Sequence, residues 1–286
     1  MRTLAIAAIQ TQPVAGDPEA TWAAYAADVR GVRATFPHVQ LVLHPELHLS
    51  AVAGILQATP GYSGDVAVPL PGPLTQRLAD LAEETGLWLV PGSVYERADT
   101  GDIHNTVVVV APDRRLVATY RKVFPWQPLE TTVPGTEFVV FDMDSVGRVG
   151  LAICYDGTFP ETFRALAWMG AEVVLHPTLT TTRDRDLEIV TARANAIANQ
   201  VYVVSVNSAA PHAVGQSVVV DPEGLVRQQA GGSREVLVDV LDLDAVERVR
   251  RFGTLGLSRM WDQLDAHGPA VRFPMFGGPY RPRPRG

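Results

Sequence analysis

The order in which short apolar runs alternate with amphipathic stretches constrains the fold of this chain more than any other feature. Ala5 to Ile9, Val39 to Leu43, Leu87 to Val90 and Val107 to Val110 read as strands. Between the first two, Pro18 to Arg33 carries Trp22, Ala26, Val29 and Val32 at roughly helical spacing, and Pro73 to Thr85 opens on proline and stops at Gly86. Strands alternating with helices define an α/β domain. Two turn signals limit how parallel its sheets can be. Ala111-Pro112-Asp113-Arg114-Arg115 separates two strand-like runs, and Asp221-Pro222-Glu223-Gly224 separates Ser217 to Val220 from Leu225 to Gln228. Hairpins joined to strand-helix units predict mixed sheets.

Farther along, Pro160 to Gly170 places Phe163, Leu166, Ala167 and Gly170 on one helical face. Glu172 to Leu175 reads as a buried strand ending at His176-Pro177-Thr178, Leu187, Val190, Ala194 and Ile197 mark a longer helix, and Val201 to Val206 gives a further strand. Nothing resembling a linker interrupts residues 1–272, which read as one domain. Residues 273–286, rich in proline, glycine and arginine, read as an extended tail over a surface or a partner subunit.

Charge and hydropathy exclude several functions. With 24 basic and 31 acidic residues the formal charge is -7, which repels phosphate backbones, and the basic segments 248–251 and 281–285 carry no nucleic-acid motif. No apolar stretch is long enough to span a bilayer, and Met1 to Gln10 reads as a first strand rather than a targeting peptide. A cytoplasmic setting with a reduced thiol is expected.

That thiol belongs to the chain's only cysteine, Cys154, which ends the apolar run Val149 to Ile153. A lone cysteine is usually a small buried hydrophobe. Here two other apolar strands also end in chemically capable residues, Leu41 to Leu43 in His44-Pro45-Glu46 and Ala118-Thr119 in Tyr120-Arg121-Lys122. Glu46 alone reads as a solvated carboxylate and Lys122 alone as a surface cation. Together with a thiol they supply what nucleophilic attack needs: a base, a cation for the oxyanion and a nucleophile. His44, His48, His104 and His176 also fall near strand ends, but none has the flanking signature of a Cys-His pair, and no zinc-ligand spacing occurs. A redox sensor would lack a resolving cysteine within the chain.

Taken together, His44-Pro45-Glu46, Tyr120-Arg121-Lys122 and Ala152-Ile153-Cys154-Tyr155-Asp156, followed by Pro160-Glu161, Arg164 and Gly170-Ala171, resemble the Pro-Glu, Tyr-Arg-Lys and cysteine segments of the nitrilase superfamily of carbon-nitrogen hydrolases. The likeness runs from Ala5 to Gln10 through Ala192 to Asn199 and on to Gly215-Gln216-Ser217. It implies a four-layer α-β-β-α sandwich with two mixed sheets that forms a homodimer or higher homo-oligomer, with the Arg250 to Trp261 region and the tail in the contact. It also implies Glu46 as general base, Cys154 as nucleophile, Lys122 as the ammonium that stabilises the tetrahedral intermediate, and the Tyr155 N–H as a second oxyanion donor. Glu130, ahead of Pro134-Gly135, would position substrate or Lys122. No metal or other cofactor is implied.

Lys122 to Gly135 and Cys154 to Glu161 are similar to the Pro-Trp-x-Pro-x-Glu and Cys-x-Asp-Gly-x-x-Pro-Glu segments of aliphatic amidases and formamidases rather than to the Cys-Trp-Glu of true nitrilases. Amide hydrolysis through a thioester is therefore the favoured reading for a small-molecule substrate. Tyr155 departs from that branch, where this position is often acidic. Its rivals are an N-carbamoyl-amine hydrolase, a thioester-based amide acyltransferase, or a binding protein that retains the fold. Trp126, Tyr155, Thr178 and Thr180 are candidates for the pocket wall, and His176 for lining or supporting it through hydrogen bonds.

Overall fold

The computed structural model of the protein describes residues 1–53, 59–274 and 278–279. Its first half runs β1 (Thr3–Gln10), α1 (Pro18–Thr35), β2 (Leu41–Leu43), α2 (Tyr62–Val66), α3 (Pro73–Thr85), β3 (Trp88–Val90), β4 (Ser93–Arg97), β5 (Ile103–Val110) and β6 (Leu116–Arg121). The centre follows with β7 (Val140–Met143), β8 (Gly147–Leu151), α4 (Pro160–Trp168), β9 (Val173–Thr178), α5 (Asp184–Asn199) and β10 (Tyr202–Asn207). The last part contains β11 (Val218–Val220), β12 (Val226–Gln229), β13 (Glu235–Asp242), α6 (Leu243–Phe252), α7 (Met260–His267), β14 (Arg272–Phe273) and β15 (Gly278–Pro279).

Two mixed sheets result. One has the order β13-β1-β2-β3-β5-β4 with β6 also on β5, and the other β12-β11-β10-β9-β8-β7. The strands that alternate with helices pair in parallel, β1 with β2 and β2 with β3 in the first sheet, β8 with β9 and β9 with β10 in the second. Both turn signals close antiparallel hairpins, β5 with β6 and β11 with β12.

Period-two alternation assigns the layers. In β1, Leu4, Ile6 and Ala8 join the central core, where they meet Leu151, Leu175 and Val204 of the opposite sheet. Ala7 and Ile9 point the other way, onto Tyr25 and Val29 of α1 and Leu78 and Leu81 of α3. On the far side, Val174 and Val203 face Phe163 and Leu166 of α4 and Ala192 and Ala196 of α5. Helix, sheet, sheet and helix make the four-layer α-β-β-α sandwich that the resemblance implies. Asp17 caps α1 by accepting the Ala20 N–H with Pro18 in the first turn, and α3 stops at Gly86 in the left-handed region.

The face that α5 buries differs from the sequence pattern. Leu187, Val190 and Ile197 are 67%, 64% and 46% exposed, while Arg185, Ala192, Asn195, Ala196 and Asn199 face inward. Small alanines let the helix approach the sheet closely. The inward polar groups are hydrogen-bonded there, Asn195 Nδ2 donating to the Gly157 carbonyl. The apolar stripe is thus left on the outside.

Trp261, placed by the resemblance in an intersubunit contact, is buried within the chain against Trp168, with the Arg164 guanidinium over its ring. Of the terminal tail, Arg272–Phe273 pairs with Gly278–Pro279, and residues 275–277 and 280–286 lie outside the described residues. Among the described residues no helix is long and apolar enough to cross a membrane.

Candidate active site

Glu46, Lys122 and Cys154 each follow the end of a strand, and the seam between the two sheets brings them together. Glu46 lies just past β2, and its N–H donates to the Thr178 carbonyl at the end of β9, tying the first sheet to the second. Gly92 makes this loop possible: its φ of +79° is left-handed, and a Cβ there would sit 1.6 Å from the Pro45 carbonyl oxygen. Lys122 is held through its backbone, its N–H donating to the Asn105 carbonyl and its carbonyl accepting from Gly135 N–H, both at 2.8 Å. Cys154 begins a tight helical turn after β8 with φ of +44°, an uncommon conformation for a non-glycine residue and one that recurs at functional sites.

The Lys122 ammonium is buried between two carboxylates, with Nζ 2.9 Å from Glu46 Oε1 and 2.6 Å from Glu130 Oε2. Asn105 Nδ2 bridges the same pair, donating to Glu46 Oε1 and Glu130 Oε1 at 2.8 Å each. Glu130 also accepts from the Trp126 N–H and the Thr132 hydroxyl. Glu46 Oε2 is buried and takes no hydrogen bond from the protein, and Cys154 is among the groups that act on the Glu46 carboxyl.

Burial opposes charge on every member of this cluster, and their neighbours decide the outcome. Burial holds the Glu46 carboxyl above the usual carboxylate range, and the negative charge of Glu130 adds to that while Lys122 opposes it. Burial acts against the Lys122 charge too, but Glu130 and Glu46 outweigh it and raise its pKa well above the usual lysine value. Glu130 is likewise penalised by burial, yet contact with Lys122 brings its pKa below the ordinary value. Burial, reinforced by the Glu46 charge, pushes the Cys154 thiol well up. The resting cluster is therefore a neutral thiol beside a raised-pKa carboxylate and a charged ammonium. A proton acceptor is needed to make this thiol a nucleophile.

Two networks fix the cysteine turn. Asp156 accepts from the Tyr120 hydroxyl at 2.8 Å, the Ile153 N–H at 2.8 Å and the Phe124 N–H at 2.9 Å. It ties the cysteine turn to the lysine segment; although every partner donates, burial pushes its carboxyl up to about 6. On the other side, His176 Nε2 lies 2.8 Å from the Cys154 carbonyl, which can only accept, so Nε2 carries the proton. Its Nδ1 then accepts from the Ser205 hydroxyl, whose oxygen accepts from Arg185. Burial lowers the His176 pKa to about 4, keeping the ring neutral. Gly157 leaves room for that ring: a Cβ there would come within 2.7 Å of it.

A cavity of about 420 Å³ opens over Cys154. Of the residues expected in its wall, Trp126, Tyr155 and Thr180 line it. Thr178 and His176 lie outside that lining: the Thr178 hydroxyl accepts from Arg185, and His176 supports the Cys154 backbone from behind. Three contributors escape the sequence reading. Asn105 on β5 donates to both carboxylates, Asp156 stands in the cysteine motif as an unassigned neighbour, and Glu188 on α5 lines the cavity. The signal for Asn105 was available, since it is a polar side chain beside an apolar strand run. Glu188 stands three residues after Arg185, a helical ion-pair spacing. A larger cleft of about 1020 Å³ between the β7–β8 hairpin, α4 and α6 holds no thiol, and it contains the ion pairs Arg2 with Glu172 and Arg148 with Asp142.

Comparisons with known proteins agree with this geometry. The family model described as carbon-nitrogen hydrolase matches residues 5–251. Omega-amidase NIT2 of Mus musculus is 34% identical over 207 residues, covering 66% of this chain and 74% of the mouse protein. Among solved structures, Saccharomyces cerevisiae Nit3, a member of branch 10 of the nitrilase superfamily, superposes with a TM-score of 0.79 at 29% identity, over 91% of this chain and 97% of that one. A glutamate-to-glutamine mutant of the amidase from Nesterenkonia sp. AN1, with the acetamide moiety of fluoroacetamide added covalently at its active-site cysteine, superposes with a TM-score of 0.72 at 26% identity, over 87% and 94%.

Proposed function

Because this chain belongs to the carbon-nitrogen hydrolase family, within the nitrilase superfamily, we propose that it hydrolyses a linear amide to an acid and ammonia or an amine through a thioester on Cys154. One observation carries the reading: a neutral thiol shares a buried site with a carboxylate able to take its proton and an ammonium locked between two carboxylates.

In the first half-reaction Glu46 takes the Cys154 proton as sulfur attacks the amide carbon. Negative charge then develops on the carbonyl oxygen, where the Lys122 ammonium and the Tyr155 N–H stabilise it. Collapse of this intermediate expels the amine, protonated by Glu46, and leaves the thioester. Water, deprotonated by Glu46, attacks the thioester and releases the acid and the thiol. Glu130 and Asn105 are positioning residues that hold Lys122 and Glu46 at hydrogen-bonding distance throughout. The relatives named for amidase activity support amides over nitriles.

The reading includes a cytoplasmic protein whose residues 1–272 form one catalytic domain and which pairs with a second copy of itself. Leu187, Val190 and Ile197 on α5, with Leu225 61% exposed beside the turn that Ile197 packs against, form the apolar surface that supports this pairing. The test of function is ammonia release from a panel of primary amides and N-carbamoyl amines by the intact chain and by Cys154→Ala. Release from primary amides that is abolished in the variant supports the proposal. Release only from N-carbamoyl compounds, or release that survives the substitution, overturns it.

A further inference from the structure

Three hydroxyls and two carboxylates in the polar wall of the cavity over Cys154 present hydrogen-bond acceptors to it. Thr180 donates its hydroxyl proton to Glu188 (2.7 Å), Thr182 donates to Asp184 (3.0 Å) and Thr191 to the Glu188 carbonyl (2.9 Å). These hydroxyls have spent their protons on the protein, so they offer lone pairs to a ligand. Glu188 and Asp184 add carboxylate oxygens, and Glu188 retains 17% exposure of its side chain. Among the described residues lining this cavity there is no lysine, arginine or histidine.

Arg185, on the first turn of α5, is buried and turned the other way. Its Nε and Nη2 donate to the Gln216 carbonyl, Nη2 also to the Ser205 carbonyl, and Nη1 to Thr178, Ser205 and Glu188. That pairing secures the position of the Glu188 carboxylate without giving the cavity a donor. A carboxylate at the far end of an acyl chain would meet two like charges and only neutral donors, from residues such as Trp126 and Tyr155, whereas an ammonium would meet two carboxylates and a set of hydroxyl oxygens.

We propose that this cavity selects amides whose acyl chain ends in a protonated amine, with Glu188 as the carboxylate that receives it. The inference rests on the amidase reading and names its substrate class. It makes Glu188 a specificity-determining residue distinct from the cluster that performs the chemistry.

Three amides of equal span separate the possibilities: δ-aminovaleramide, hexanamide and glutaric monoamide, which end in an ammonium, a methyl and a carboxylate. For the intact chain, kcat/KM for δ-aminovaleramide should exceed that for glutaric monoamide by at least about a hundredfold, with hexanamide between them. Glu188→Gln should reduce this ratio by at least about tenfold. Asp184→Asn, on an exposed side chain at the start of α5, should reduce it by about two- to threefold, which keeps the test open if the Glu188 substitution impairs folding. Hydrolysis with a ratio near one, or in favour of glutaric monoamide, overturns this inference and leaves the amidase reading intact, as does a ratio that neither substitution moves. Release of ammonia from none of the three overturns both.

Discussion

Replacing Glu130 with glutamine tests how the buried cluster sets its own protonation. Glu130 and Glu46 contact the same Lys122 Nζ at 2.6 and 2.9 Å and the same Asn105 Nδ2 at 2.8 Å, so their nearest oxygens are close. At a separation of about 5 Å and an effective dielectric near 20, two like charges repel by about 3 kcal/mol, equivalent to about 2 pH units. Glu130 raises the Glu46 pKa, so Glu130→Gln should lower it. Because Glu46 must be ionised to accept the thiol proton, the acid limb of kcat/KM should move down by about 2 pH units. The same change removes the charge that most favours the Lys122 ammonium, so the alkaline limb should move down as well. The assay is ammonia release from a neutral primary amide at low substrate across the pH range. Glutamine offers one carbonyl oxygen where Trp126, Thr132, Asn105 and Lys122 all donate, so the maximal rate should fall too. The position of the limbs is independent of that loss. An acid limb that stays in place or moves upward refutes the electrostatic argument.

Other consequences follow from the same contacts. Gly92→Ala must displace the Pro45 carbonyl and hold alanine at positive φ, costing at least about 2 kcal/mol in chemical denaturation and most of the activity. Asp156→Asn puts an amide donor where Tyr120, Ile153 and Phe124 already donate, so stability should fall by about 1–3 kcal/mol and Cys154 alkylation by iodoacetamide should change rate. Leu187→Asp combined with Ile197→Asp places charge on the exposed stripe of α5; light scattering should show the intact chain as a dimer or larger and the variant as a smaller species with an unchanged circular dichroism spectrum. A dimer that survives both substitutions argues for pairing through another surface.

Much of this molecule is legible because the sandwich has strong local rules. Strands such as β1 and β9, and the hairpin turns at Ala111 to Arg115 and Asp221 to Gly224, follow from apolar runs and turn chemistry that need no tertiary information. The buried cluster proposed for catalysis is legible for a related reason, since Glu46, Lys122 and Cys154 each follow an apolar strand run. Residues whose role depends on what the fold brings opposite them are not legible. Asn105 matters because two carboxylates from distant segments meet its amide, and Asp156 because Tyr120 and Phe124 converge on it from 36 and 32 residues away. Helix α5 shows the limit of periodicity: the apolar stripe identifies a helix, but close packing on the sheet selects alanine, asparagine and arginine for the buried side. Burial of Arg185 with Thr178 and Ser205 likewise has no local signature.

The central claim is that Cys154 becomes acylated during turnover. The most direct measurement is intact-mass spectrometry of the full chain, acid-quenched within a turnover of mixing with a primary amide, followed by peptide mapping. The account predicts a mass increase equal to the acyl group less the thiol hydrogen, located on Cys154, chased to free enzyme as acid appears and missing from Cys154→Ala. Steady ammonia release from the intact chain with Cys154 unmodified at every quench time, or equal release by Cys154→Ala, would contradict it.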